Sequence, residues 1–164
     1  MSVFAIRNFK FLGFALGKNG KGVFIRVHAE SMKKAKVKLK FLSSRRNVQN
    51  IQATLAKLKR YMQGWLGYYG IADMKKSIEE LNQWLRHRIR MCIWKQWKLP
   101  RTKMRKLIGL GISEENAFMT ANNRRKHWHV SGGSIVNFAL SNKRLINWGY
   151  YDLTQAYQSL HVNY

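Results

Sequence analysis

Seven carboxylates, five histidines and one cysteine are the chain's foremost candidates for acid–base or metal chemistry. The acids are Glu30, Asp73, Glu79, Glu80, Glu114, Glu115 and Asp152. Hydrolysis and nucleotidyl transfer need carboxylates that converge, as an acid–base pair or as metal ligands. Nearly all of these stand instead where helices are expected to start, and capping accounts for them. The "GKNGKG" segment lacks the spacing of a phosphate loop. His127-Trp128-His129 would put two imidazoles on one side of a strand, but no further Cys or His ligand is suggested nearby. No serine or cysteine nucleophile finds support. No catalytic residue, metal site or cofactor is assigned, and the chain taken alone is read as no enzyme.

Basic chemistry is abundant. Lys and Arg number 31 against the seven acids, a formal charge of +24. Such a charge destabilises a compact state by self-repulsion, so it points to a polyanionic partner. Nucleic acid is the first reading and an anionic membrane surface the alternative. Against the membrane, no stretch approaches the ~18 apolar residues of a spanning helix, and Arg7 and Lys10 break the N-terminal apolar run. Four segments could each supply several phosphate contacts: "MKKAKVKLK", "LRHRIR", "WKQWKLPRTKMRK" and "NNRRKHWH". Trp94, Trp97 and Trp128 are candidates for stacking on bases. Trp65 and Trp84 lie on apolar stripes and are read as core, and Trp94 falls on a stripe too. Trp97 fits either role. Cys92, alone between apolar neighbours, cannot form an internal disulfide; it reads as buried packing in a reducing compartment.

These groups need elements to position them. Apolar runs at 9–16 and 23–28, with Asn19, Gly20 and Gly22 between, read as a hairpin. An isolated hairpin is marginal in water, so it needs a sheet or helix to lean on. Ser31 is the expected N-cap of a first helix, with Met32, Ala35, Leu39 and Leu42 on its apolar side. A second helix carries Ile51, Leu55, Leu58, Met62, Trp65 and Tyr69 as one stripe and stops at Gly70, with Asp73 the expected cap of the next. The third, about 74–98, carries two stripes: Ile78, Leu81, Leu85, Ile89 and Cys92 on one face, and Trp84, Met91 and Trp94 near the opposite one. Two stripes predict a strut packed on both sides. Pro100 marks a boundary, after which the pattern is short, mostly helical pieces. The expected fold is mainly α: an N-terminal β-hairpin (1–29), a three-helix thumb-like bundle (30–98), and a small, mostly helical second unit (99–164).

"KFLGFAL", "RYMQGWLGYYGIAD", "LNQWLRHRIRMCIWKQWK", "TKMRKLIGLGI", "ANNRRKHW" and "LSNKRLINWGYYDL", in this order, resemble the C-terminal part of group II intron-encoded reverse transcriptase/maturases. The similarity covers about Phe9 to Tyr157. It implies that the hairpin is the closing edge of the polymerase palm, that 30–98 is the maturase-specific or thumb domain, and that the rest is a DNA-binding region. The palm's metal-binding aspartates and a Cys/His-rich endonuclease domain have no counterpart here, so the resemblance implies a piece of a longer product whose fingers and palm act in the same chain or in trans. Its partners would be group II intron RNA and target DNA, with no membrane. The RNA-binding candidates are Lys33, Lys34, Lys36, Lys38, Lys40, Arg45, Arg46, Lys59, Arg60, Arg86, Arg90 and Lys95. The DNA-binding candidates are Lys98, Arg101, Lys103, Arg105, Lys106, Arg124, Arg125 and Lys126. The setting implied is a bacterial cytoplasm, with an organelle as the other. A generic basic RNA- or DNA-binding protein unconnected with introns is the alternative.

Overall fold

A computed structural model describes residues 10–44 and 50–161. It is mainly helical, with a small sheet first. Strands β1 (Lys10–Phe11), β2 (Phe14–Asn19) and β3 (Gly22–Val27) form an antiparallel sheet in that order, with Phe14 opposite Val27 and Lys10 opposite Ala15. The expected hairpin is thus β2–β3, extended by a short β1. A tight turn at Leu12-Gly13 makes that addition, and Gly13 is required there. Its φ is +86°, and a Cβ would lie 2.4 Å from the Tyr69 hydroxyl.

The helices are α1 (Ala29–Leu42), α2 (Ile51–Tyr69) and α3 (Lys75–Gln96), then α4 (Pro100–Gly109), α5 (Glu114–Ala121) and α6 (His127–Ser131). The last three are α7 (Ser134–Ala139), α8 (Asn142–Asn147) and α9 (Leu153–His161). The support the hairpin needs comes from α2. Phe14 stacks on Tyr68 with ring centroids 5.5 Å apart, and the Tyr68 hydroxyl donates to the Leu12 carbonyl at 2.9 Å. The backbone N–H of Asp73 donates to Ile25 O at 2.8 Å, tying β3 to the α2–α3 loop.

Two expected caps are corrected. His28, not Ser31, caps α1, its Nδ1 accepting from Glu30 N at 3.2 Å. Ser31 lies inside the helix, and its hydroxyl donates to Gly13 O at 3.0 Å, pinning α1 to the β1–β2 turn. The residue before α3 is Met74, which makes no side-chain cap, and Asp73 does its work through its backbone. At α2 the rule holds: Asn50 Oδ1 accepts from Gln52 N at 2.8 Å. Gly70 follows the last residue of α2 as expected, and a Cβ there would meet Leu66 O at 2.5 Å, so the position has no room for a side chain.

Helix α3 is the strut its two stripes predict. Ile78, Leu81, Leu85, Ile89 and Cys92 are all buried, and so are Met91 and Trp94 on the other side. Trp84 of the second stripe turns instead toward Lys36 of α1, while α6 and α9 pack along α3 from beyond Pro100. Pro100 opens α4 at its first turn, where its missing N–H removes no bond. "HWH" lies in helix α6 rather than on a strand, so its two imidazoles do not share one side. The last element folds back: the Tyr157 hydroxyl accepts from Met74 N at 3.2 Å and donates to Ala72 O at 2.8 Å. One apolar core therefore runs from Val27 to Tyr157 across the Pro100 boundary.

Candidate nucleic-acid interface

The exposed side of α1 is strongly cationic, with Val37 and Phe41 exposed among its lysines. Met32, Ala35, Leu39 and Leu42 turn inward, which leaves Lys33, Lys34, Lys36, Lys38 and Lys40 exposed around the rest of the helix. The helix's one acid, Glu30, is paired with Lys10, which holds its carboxyl below the usual value. Lys36 Nζ lies 5.1 Å from the Trp84 ring centroid, and the Arg88 guanidinium lies 5.1 Å from the same ring. Half-buried Trp84 thus braces two cations between α1 and α3. Lys59 and Arg60 are exposed on α2. Arg45 and Arg46 lie outside the described residues.

The α3 cations face three ways. Arg86 is half-buried, its Nη1 on Asp152 Oδ2 at 3.0 Å. Arg88 closes the end of α1, donating from Nε to Ser43 Oγ at 2.8 Å and from Nη2 to the carbonyls of Lys40 and Ser43 at 3.1 Å. Arg90 is 7% exposed, its Nε on Leu140 O at 2.8 Å and its Nη2 on Asn142 Oδ1 at 2.7 Å. Burial, and then the Arg86 charge beside it, pushes the Arg90 guanidinium below its ordinary value. Arg86 and Arg90 are therefore tied into the joint with the chain beyond Pro100, unlike the exposed α1 lysines. Lys95 is half-buried.

At the α3–α4 joint, Lys98 is exposed in a left-handed backbone conformation with φ of +43°. Arg101, Arg105 and Lys106 project from α4 into solvent. Lys103 does not. It is 8% exposed, with Nζ 4.8 Å from the ring centroid of Trp94, and its burial lowers its pKa. Trp94 is 1% exposed and cannot reach a base, while half-buried Trp97 packs 5.8 Å from it. Arg124, Arg125 and Lys126 are exposed ahead of α6. Trp128, 40% exposed, has one face covered by His87 at 3.7 Å between centroids, and its carbonyl lies 2.8 Å from His87 Nε2.

One feature escapes the sequence. Arg144 of α8 joins Arg86 and Arg90 around an open-sided cavity of about 880 Å³ that also includes Phe138 and Asn142. The Lys143-Arg144 pair was a weak signal, since only the fold brings it to α3. Among the described residues no three His, Cys, Asp or Glu side chains gather as metal ligands, and no helix is long and apolar enough to cross a membrane.

Residues 32–108 match the family model described as "Group II intron, maturase-specific domain". No curated protein matches the chain. The matched stretch runs from the first turn of α1, through the Trp84 brace and the α3 strut, to the second-last residue of α4. The maturase-specific domain is not itself a polymerase active site. Residues 32–108 are thus similar to the group II intron maturase-specific domain, consistent with the C-terminal region of such a maturase.

Proposed function

We propose that this chain is the nucleic-acid-binding C-terminal part of a group II intron maturase, gripping intron RNA by its phosphates. The observation that carries this reading is the exposed lysine face of α1, which lies within the matched residues, with Glu30 paired to Lys10 and Asp73 and Glu80 bordering it near Lys33 and Lys36. The protein supplies charge and shape that hold the intron in its active fold, and splicing chemistry belongs to the RNA. The exposed Arg101, Arg105 and Lys106, with Arg124, Arg125 and Lys126, serve target DNA during intron mobility. The polymerase fingers and palm of the same system adjoin the N-terminal sheet, where Phe11, Leu12, Val23 and Ile25 are exposed. The setting is a bacterial cytoplasm or an organelle.

The test is the salt dependence of binding to a group II intron RNA. Each neutralised phosphate contributes about −0.7 to −0.9 to the log–log slope. Changing Lys33, Lys34, Lys38 and Lys40 together to Gln removes four charges without touching the Trp84 brace. The slope should flatten by about 3 if all four meet phosphates, whereas Lys18→Gln with Lys21→Gln in the β2–β3 turn should leave it unchanged. An unaltered slope in the α1 variant overturns the reading of that face. Duplex DNA bound as tightly as intron RNA at matched salt would instead favour a generic basic binder.

A further inference from the structure

The cavity between α3 and the α7–α8 turn brings together three guanidinium groups from distant parts of the chain. Arg86 and Arg90 come from α3 and Arg144 from α8. Each guanidinium carries five N–H donors, and the contacts within the protein occupy only one or two nitrogens of each. Arg86 uses Nη1 for Asp152, Arg90 uses Nε and Nη2, and Arg144 uses Nη1 for the carbonyls of Ala139 and Leu110. These partners also orient the planar forks, and among the described residues Asp152 is the one carboxylate bonded to any of them. An anion in the cavity would relieve the mutual repulsion that Arg86 and Arg90 impose.

Two further observations narrow the ligand. The cavity, about 880 Å³, is far larger than a lone phosphate requires and falls in the ~300–1,000 Å³ range of small-molecule sites. Phe138, 68% exposed, shares it with the arginines and offers a bare aromatic face. Gln83 and Asn137 add amide donors and acceptors to the lining. A paired base cannot use that face, because both its own faces are covered by neighbours in the stack. The cavity also includes Leu110 and Gly111, just beyond the end of α4.

Resting on the nucleic-acid reading above, we propose that this cavity takes one unpaired nucleotide of the bound strand, its phosphate on Arg86, Arg90 and Arg144 and its base stacked on Phe138. Fluorescence anisotropy on the full chain tests this with three RNA hairpins. One is a fully paired stem, one the same stem with a single bulged adenosine, and one carries an abasic bulge. The bulged adenosine should bind about ten-fold tighter than the paired stem, the size expected of one base–aromatic stack. Phe138→Ala and the abasic bulge should each remove most of that preference while affinity for the paired stem stays constant. Arg144→Gln should weaken both bulged RNAs. Because Arg144 also braces two carbonyls, circular dichroism checks its fold, and Phe138→Ala carries the test independently. Equal binding of all three RNAs overturns the pocket and leaves the broader reading standing. A preference that survives Phe138→Ala or the abasic bulge overturns the base seat, and failure to bind any of the three overturns both.

Discussion

Asp152 is the most heavily used acid in the fold, and its removal should be costly. Its Oδ1 accepts from Asn82 Nδ2 at 2.9 Å and from the backbone N–H groups of Thr154 and Gln155 at 3.0 Å, capping α9. Its Oδ2 accepts from Arg86. Behind it, buried Asn82 accepts from the Tyr150 hydroxyl at 2.7 Å. Burial pushes the Tyr150 phenol well above its ordinary value, so it stays a donor. Asp152→Ala loses a helix cap worth about 1 kcal/mol. It also leaves Asn82 short of an acceptor and half-buried Arg86 without its partner, each costing about 1–2 kcal/mol after allowing for solvent at Arg86. The expected destabilisation is about 3–5 kcal/mol, or a fall in Tm of roughly 10–15 °C for a chain of this size. Asp152→Asn keeps a capping oxygen and should cost about half as much. Urea and thermal unfolding followed by circular dichroism measure both. If Asp152→Ala stays within about 1 kcal/mol of the parent, a cap's worth at most, the network does not hold α9 on α3. If the two variants fall equally, the cap contributes nothing.

Two other outcomes follow from buried or bridging cations. Lys103 binds its proton less tightly in the folded chain than in the unfolded one, because burial disfavours the charge. It therefore lowers stability at neutral pH, and that handicap fades as pH climbs through the folded pKa toward the ordinary 10.5. Lys103→Met should leave the neutral-pH urea midpoint equal or higher and should lack this alkaline gain; midpoints that run parallel with pH would contradict it. Arg88→Ala removes three hydrogen bonds to the end of α1. It should cost about 2 kcal/mol, with hydrogen exchange rising first in the last turn of α1. Uniform acceleration across all helices would show that Arg88 does not act locally.

The local part of this fold was legible in the sequence. The 3.6-residue spacing gave α1, α2 and the two-sided α3, and Pro100 gave the start of α4, because these depend on neighbours a few residues away. One cap failed because a distant group intervened, Ser31 being claimed by the Gly13 carbonyl; the other failed because α3 begins after Met74, one residue beyond Asp73. The cations divided on the same principle. Lys33, Lys34, Lys38 and Lys40 are exposed because the helix period turns them outward, a property of α1 alone. Arg86 and Arg90 looked equally free, but their partners Asp152, Leu140 and Asn142 lie 50–66 residues away. Lys103 turned inward because Trp94 offered a ring face, which spacing on α4 could not reveal.

Helix α3 serves as a wall shared by both halves, and this bears on how the molecule loses structure. Lys103 of α4 covers the Trp94 ring, α6 and α9 pack along α3, and Tyr157 reaches back to the loop that starts α3. The two halves therefore cannot open one after the other along the chain, since releasing either strips one side of the same helix. Slow amide exchange should cluster along α3 with a single common opening free energy, rather than stepping at Pro100. The proline divides the sequence, whereas the unit of cooperativity is the whole folded chain.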